Sequence, residues 1–166
     1  MMPEAMFFHT AEAISRLADG FRVVETLDGG WSRRLLDEST GKLWVEYYPH
    51  PDDRSPKHLH AEPLPTDLHE LMASALLSTC AEDWLGLAAH LRMTFPAERI
   101  AEELNTLQWL VLPEAIRAFA SAYIPEDQRN LVGMNLREVA ASFERYRAAW
   151  AQIKSLRSAE GSQQTG

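Results

Sequence analysis

The sequence predicts an α+β domain: a small N-terminal antiparallel meander of three strands, packed with a mainly helical C-terminal part. Three observations carry this. Residues 21–48 are rich in β-branched and aromatic side chains and are divided by two glycine-containing turns. Beyond residue 66 the apolar side chains recur every three or four positions, the period of a helix. Between the two lies YYPHPDDRSPKHLHAEPLP, residues 47–65, with five prolines and three histidines. The domain is expected to span 1–158, with the sheet part at 20–49, a proline-rich connector at 49–65 and the helical part at 66–157. The small, polar stretch 159–166 is expected to fray.

Thr10 can cap a short helix over 11–18 that Asp19-Gly20 ends, with Ile14 and Leu17 inward. A first strand follows at 21–27, and Asp28-Gly29-Gly30 makes a turn. A second strand is expected at 31–37, then a hairpin turn at Ser39-Thr40-Gly41-Lys42 with glycine in the left-handed position. The third strand, 43–48, is stopped by Pro49. Neither face of these strands alternates cleanly between polar and apolar.

Thr66 is the expected cap of a helix carrying Leu68, Leu71, Met72, Ala75 and Leu76, with Asp67 and Glu70 acidic in its first turn. Thr79 and Glu82 have the spacing of a capping box, which predicts a second helix with Trp84, Leu87, Ala88 and Leu91 inward. Pro96 and Pro113 each suit the first position of a further helix. The run 107–112 is almost wholly apolar and is expected to be buried. Asn135 and Glu138 form a capping box for the last helix, whose Leu136, Val139, Ala140, Phe143, Tyr146, Trp150 and Ile153 repeat at helical spacing.

The totals bound the function. The chain has 166 residues, 46% of them hydrophobic and 24% charged, a globular composition. No apolar run approaches the roughly 18 residues a membrane span needs. No lysine or arginine precedes Arg16, a pattern against a secretory leader. A single cysteine, Cys80, points to a reducing, cytoplasmic setting. A net charge of −8 repels phosphate backbones, which excludes nucleic acid as the expected ligand, and it speeds association with a basic protein.

Three constellations bear on chemistry. His50, His58, His60 and His69 lie near Asp52, Asp53, Glu62, Asp67 and Glu70, and imidazole and carboxylate are ligands for zinc or iron. If an ion binds, His58, His60 and His69 are the expected ligands, although no established metal signature is present. Cys80 could act as a nucleophile only beside a base such as His90. Glu82-Asp83 and Glu102-Glu103 are adjacent on helices, which keeps each pair from acting as a dyad and predicts solvated faces. No Gly-x-Ser-x-Gly or phosphate-cradling loop occurs. No cofactor is expected, and the absence of a catalytic signature argues against an enzyme.

The stretch Trp31-Ser32-Arg33-Arg34-Leu35-Leu36-Asp37, then Thr40-Gly41-Lys42-Leu43-Trp44 and Tyr48-Pro49, resembles a pattern in small bacterial immunity proteins. Those proteins neutralise toxins of contact-dependent or polymorphic toxin systems. There a strand ending in Asp leads through a Thr-Gly turn to a Trp strand that ends Tyr-Pro. The similarity covers residues 31–49, and the chain departs from it at Arg54-Ser55-Pro56-Lys57, where the pattern has a glycine-rich stretch. The resemblance implies a non-enzymatic protein that binds a protein partner. With the charge, it sets the leading expectation: a basic partner, a candidate toxin, held through Trp44, Glu46, Tyr48, Asp52 and Asp53. The alternatives are a metal-binding protein or metal-dependent enzyme using 50–69, and a structural homodimer paired through its last helix.

Overall fold

A computed structural model describes residues 4–48, 57–125 and 131–158. His50, Asp52, Asp53 and the tail 159–166 lie outside the described residues. The class is α+β, but the sheet has five strands, not three. β1 (Phe7–Phe8), β2 (Phe21–Leu27), β3 (Ser32–Asp37), β4 (Leu43–Tyr47) and β5 (His58–Glu62) are arranged in the order β1-β5-β4-β3-β2, all neighbours antiparallel. The expected meander is present as β2-β3-β4, and it continues into β5. The prolines hid that strand. They stand on both sides of it, at 56 and 63, while Lys57 to Glu62 is proline-free and His58 to Glu62 alternates polar with apolar side chains.

Alternation gives the sheet two faces. On one, Leu35, Trp44, Leu59 and Ala61 form a small buried cluster joined by Ala5, Phe8 and Phe21. On the other, the register sets Tyr47 opposite His58, Val45 opposite His60, and Phe7 opposite His60. Arg34 on this second face ties three strands together, bonding Glu62 of β5 at 2.6 and 2.8 Å and Glu25 of β2. β2 is an edge strand with an irregular register between Val23 and Glu25.

Among the described residues, six α-helices complete the fold. α1 (Ala11–Ala18) is capped by Thr10, whose hydroxyl accepts from the Ala13 amide at 3.2 Å. α2 (Leu68–Leu77) is capped by Asp67 rather than Thr66; its carboxylate accepts from the Glu70 amide at 3.0 Å. α3 (Ala81–Thr94), α4 (Ala97–Leu107), α5 (Pro113–Ala122) and α6 (Leu136–Ser158) follow. The main core is built from their apolar stripes, with Met72, Leu76, Leu87, Leu91, Ile100, Leu104, Phe119 and Ile153 all buried. Among the described residues no helix is long and apolar enough to cross a membrane.

Two helical expectations are corrected. The run 107–112 is an exposed turn: Leu107 and Val111 are buried, but Trp109, Leu110 and Leu112 face solvent. Only two of its six side chains can reach the core because α4 ends at Leu107 and α5 starts at Pro113. The start of α6 is capped as expected, with Asn135 Oδ1 accepting from Arg137 and Glu138 and the Glu138 carboxylate accepting from the Asn135 amide. Its first half, however, is barely packed: Leu136 is 89% exposed, while Ala149 and Ile153 in the second half are buried.

Candidate functional site

The N-terminal segment is fastened to the start of α3 by two adjacent carboxylates. Asp83, fully buried, accepts from the Met6 and Phe7 amides at 2.7 and 2.8 Å and from the Ser78 hydroxyl at 2.6 Å. Glu82 accepts from the His9 and Thr10 amides at 2.6 and 2.8 Å and from the Thr10 hydroxyl at 2.8 Å. Burial, the largest single influence on Glu82, pushes its pKa up, but these hydrogen bonds together hold it below the usual range. The two acids were expected on a solvated helix face, with Glu82 in a capping box with Thr79. Instead Cys80 is the N-cap of α3 without a side-chain bond, and both carboxylates serve backbone amides some 70 residues earlier in the chain. Adjacent positions on a helix do not face each other; here each finds its own partner on the crossing strand.

Behind this clamp, four of the six histidines gather around one phenol. His58 and His60 alternate onto the same face of β5, Tyr47 comes from β4, His9 follows β1, and His90 comes from α3. The Tyr47 ring lies 6.1 Å from His58, 5.2 Å from His60 and 6.2 Å from His90. His9 meets His58 edge-on at 4.2 Å, and His60 meets His90 at 5.4 Å. Phe7 closes the group, 5.8 Å from His90. The Tyr47 hydroxyl and His9 Nδ1 are buried without a hydrogen-bond partner among the described residues.

Burial sets the electrostatics. It pushes the Tyr47 phenol well above its usual range, slightly offset by Arg92. It pushes His90 down to about 4, with His60 adding to the effect. His60 is lowered by burial against the opposing pull of its Nδ1–H bond to the Ala61 carbonyl, 2.9 Å, and of Glu62. His9 is lowered by burial, with Glu82 opposing and Arg92 reinforcing. Burial thus favours the neutral form of His9, His60 and His90, and these rings gain charge only in acid.

The proposed metal ligands are not brought together. His58 and His60 share the cluster, but His69 sits on the exposed side of α2 with its Nδ1 2.9 Å from Glu103. Among the described residues no group of three His, Cys, Asp or Glu side chains is placed to hold a metal ion. Nor can Cys80 and His90 pair: they stand at the N-cap of α3 and ten residues along the same helix, about 15 Å apart at 1.5 Å per residue. Sequence reading named His58 and His60 but missed His9 and His90 as their neighbours. The available signal was the placement of His90 one residue from the buried Leu91 and three from the buried Leu87.

The expected partner contacts divide. Trp44 is only 4% exposed, sandwiched by Phe8 at 4.8 Å and Phe21 at 6.1 Å with Lys42 Nζ 4.6 Å from its ring, so it is a core residue rather than a contact. The strand that would have exposed it is covered on that face by β1 and the start of β2. Glu46 is largely buried and joined to Arg33 and Lys57. Tyr48 is half-buried, with Trp31 edge-on at 5.8 Å and Lys57 Nζ 4.9 Å over its ring. Trp31 itself is 59% exposed. Trp31, Arg33, Glu46, Tyr48 and Lys57 thus make one aromatic and charged patch at the end of the sheet where β4 leaves and β5 returns.

The chain matches no protein-family model, and neither the curated proteins nor the solved structures give a match to it.

Proposed function

We propose that this chain is a non-enzymatic binding protein that holds a basic protein partner at the Trp31–Tyr48 end of its sheet. The observation that carries the reading is Trp31: a large ring presented to solvent while propped edge-on by Tyr48, which Lys57 braces in turn. Tryptophan, tyrosine and arginine on a fixed support are the side chains that dominate protein–protein binding energies, because little rotamer freedom is lost on contact. Glu46 acts here by holding Arg33 and Lys57 in place. Asp52 and Asp53 follow Tyr48 closely in sequence and add negative charge, and the net charge of −8 favours encounter with a basic surface. The resemblance of residues 31–49 to small bacterial immunity proteins makes a toxin the favoured partner, and the single cysteine fits a cytoplasmic setting.

Pull-down from the native host with the intact chain as bait tests this, with Trp31→Ala beside it and Trp109→Ala as control, since Trp109 is 76% exposed on the helical part. Capture of one basic protein by the intact chain and by Trp109→Ala but not by Trp31→Ala is expected. Equal capture by both variants, or none by the intact chain at physiological salt, removes the reading.

A second reading, self-association through the first half of α6, is favoured by the exposure of Leu136 beside Met134 and Phe143. Light scattering over a concentration series distinguishes monomer from dimer.

A further inference from the structure

We infer that β1 is an acid-released latch: protonation of the imidazoles of His9, His60 and His90 frees residues 6–10 from α3 while the helical core stays folded. β1 is two residues long and, among the described residues, pairs only with β5. Phe8 also packs on Trp44 of β4, and the remaining contacts that hold the segment stand on α3: Gly86 against Phe7, Asp83 on the Met6 and Phe7 amides, and Glu82 on the His9 and Thr10 amides. Three rings lie along this seam. His9 is the residue after β1, His60 is the register partner of Phe7, and His90 touches both Phe7 and His60. Charging two neighbours sets like charges about 4–6 Å apart where water is largely excluded, which is strongly repulsive.

Among the described residues, the acids that face His9, His60 and His90 are already engaged by other partners. From α3, Glu82 opposes it near His9 but is committed to three hydrogen bonds from the N-terminal segment, and Arg92 adds positive charge. Asp83 is likewise committed, to two amides and Ser78. From β5, Glu62 lies beside His60 but is paired with Arg34 of β3. From β4, Tyr47 brings a neutral phenol. From β1, Phe7 brings none. Burial holds His9, His60 and His90 below the ordinary histidine range in the closed form, so each ring binds a proton more tightly once the segment lifts away. The sequence from 97 to 158 contains no histidine, so nothing in α4, α5 or α6 takes up protons by this route.

Hydrogen exchange read residue by residue from pH 7 to pH 5 tests the latch, above the range in which carboxylates ordinarily take up protons. Protection factors of the Met6, Phe7, His9, Thr10 and Ala61 amides are expected to fall at least about tenfold, the equivalent of one pKa unit of linkage, while Ile100, Leu104 and Phe119 keep their margin of protection above them. In His90→Gln and, separately, His60→Gln, the fall is expected to shrink or to move to lower pH. Convergence of the two sets on one protection factor as the pH drops overturns the inference. So does an unchanged protection of the N-terminal amides in the wild-type chain, a measurement that needs no variant to fold, or a fall in both glutamine variants as large as in the wild type.

Discussion

A Cβ added to Gly86 would lie 2.2 Å from the Cβ of Phe7 and 2.7 Å from its Cγ. The strand and the helix can meet this closely only because one of them has no side chain there. Gly86→Ala would raise helix propensity by about 1 kcal/mol and lose more to the clash, since Phe7 is fully buried and its Cβ is near the backbone. A net loss of about 1–3 kcal/mol in urea unfolding is expected. A variant at least as stable as the parent would show that Phe7 does not sit in that notch.

Asp83→Ala should cost more than Asp83→Asn. Both strand amides bond the same oxygen, Oδ1, which asparagine keeps, while the Ser78 hydroxyl can turn to meet its amide. Alanine leaves two amides without an acceptor, one of them buried, and a loss of about 3 kcal/mol is expected, against about 1–2 kcal/mol for asparagine. Equilibrium denaturation of the two variants at pH 7 makes the comparison.

Trp31 and Trp44 are predicted to behave oppositely. Trp44→Ala empties part of a buried cluster and should lose about 3–5 kcal/mol. Trp31→Ala should change stability by no more than about 0.5 kcal/mol while abolishing capture of the partner. Thermal melts followed by circular dichroism separate the two.

Stability should fall with acid in a window set by His90. Its pKa is lowered in the folded chain to about 4, so the neutral ring is favoured there and the unfolded chain binds the proton first. The stabilisation is complete above about pH 6.5 and is lost as pH drops toward 4, at up to about 1.4 kcal/mol per unit from this group. Between pH 7 and pH 5 a loss of about 2 kcal/mol is the upper expectation for His90 alone. Urea midpoints at the two pH values, repeated on His90→Gln, should show a flatter dependence in the variant.

Much of this architecture could be read from the chain, and the misses share a cause. α1, β2 and the capping box of α6 follow from local signals, Thr10, the β-branched run at 21–27, and Asn135 with Glu138, and all are in place. β1 is two residues long, too short for periodicity to register, and it exists because Asp83, Glu82 and Gly86 receive it. β5 was disguised by flanking prolines although its own five residues alternate. The histidine cluster joins His9 after β1, His58 and His60 of β5 and His90 of α3, three places far apart in sequence, so no spacing rule could collect it whole. Trp44 was read as surface because β1, which helps to bury it through Phe8, was missing from the predicted sheet.

The irregular register in β2 has a consequence for solubility. Among the described residues that strand pairs only with β3, so its far rim presents main-chain groups to a stranger's strand, and Val23 and Val24 beside them are exposed. The break between Val23 and Glu25 bends the rim, and Arg22 and Glu25 place charges along it, held by Glu38 and Arg34. These act as gatekeepers: exchanging Arg22 and Glu25 for valine would turn a guarded border into a template on which copies of the chain could stack into fibrils.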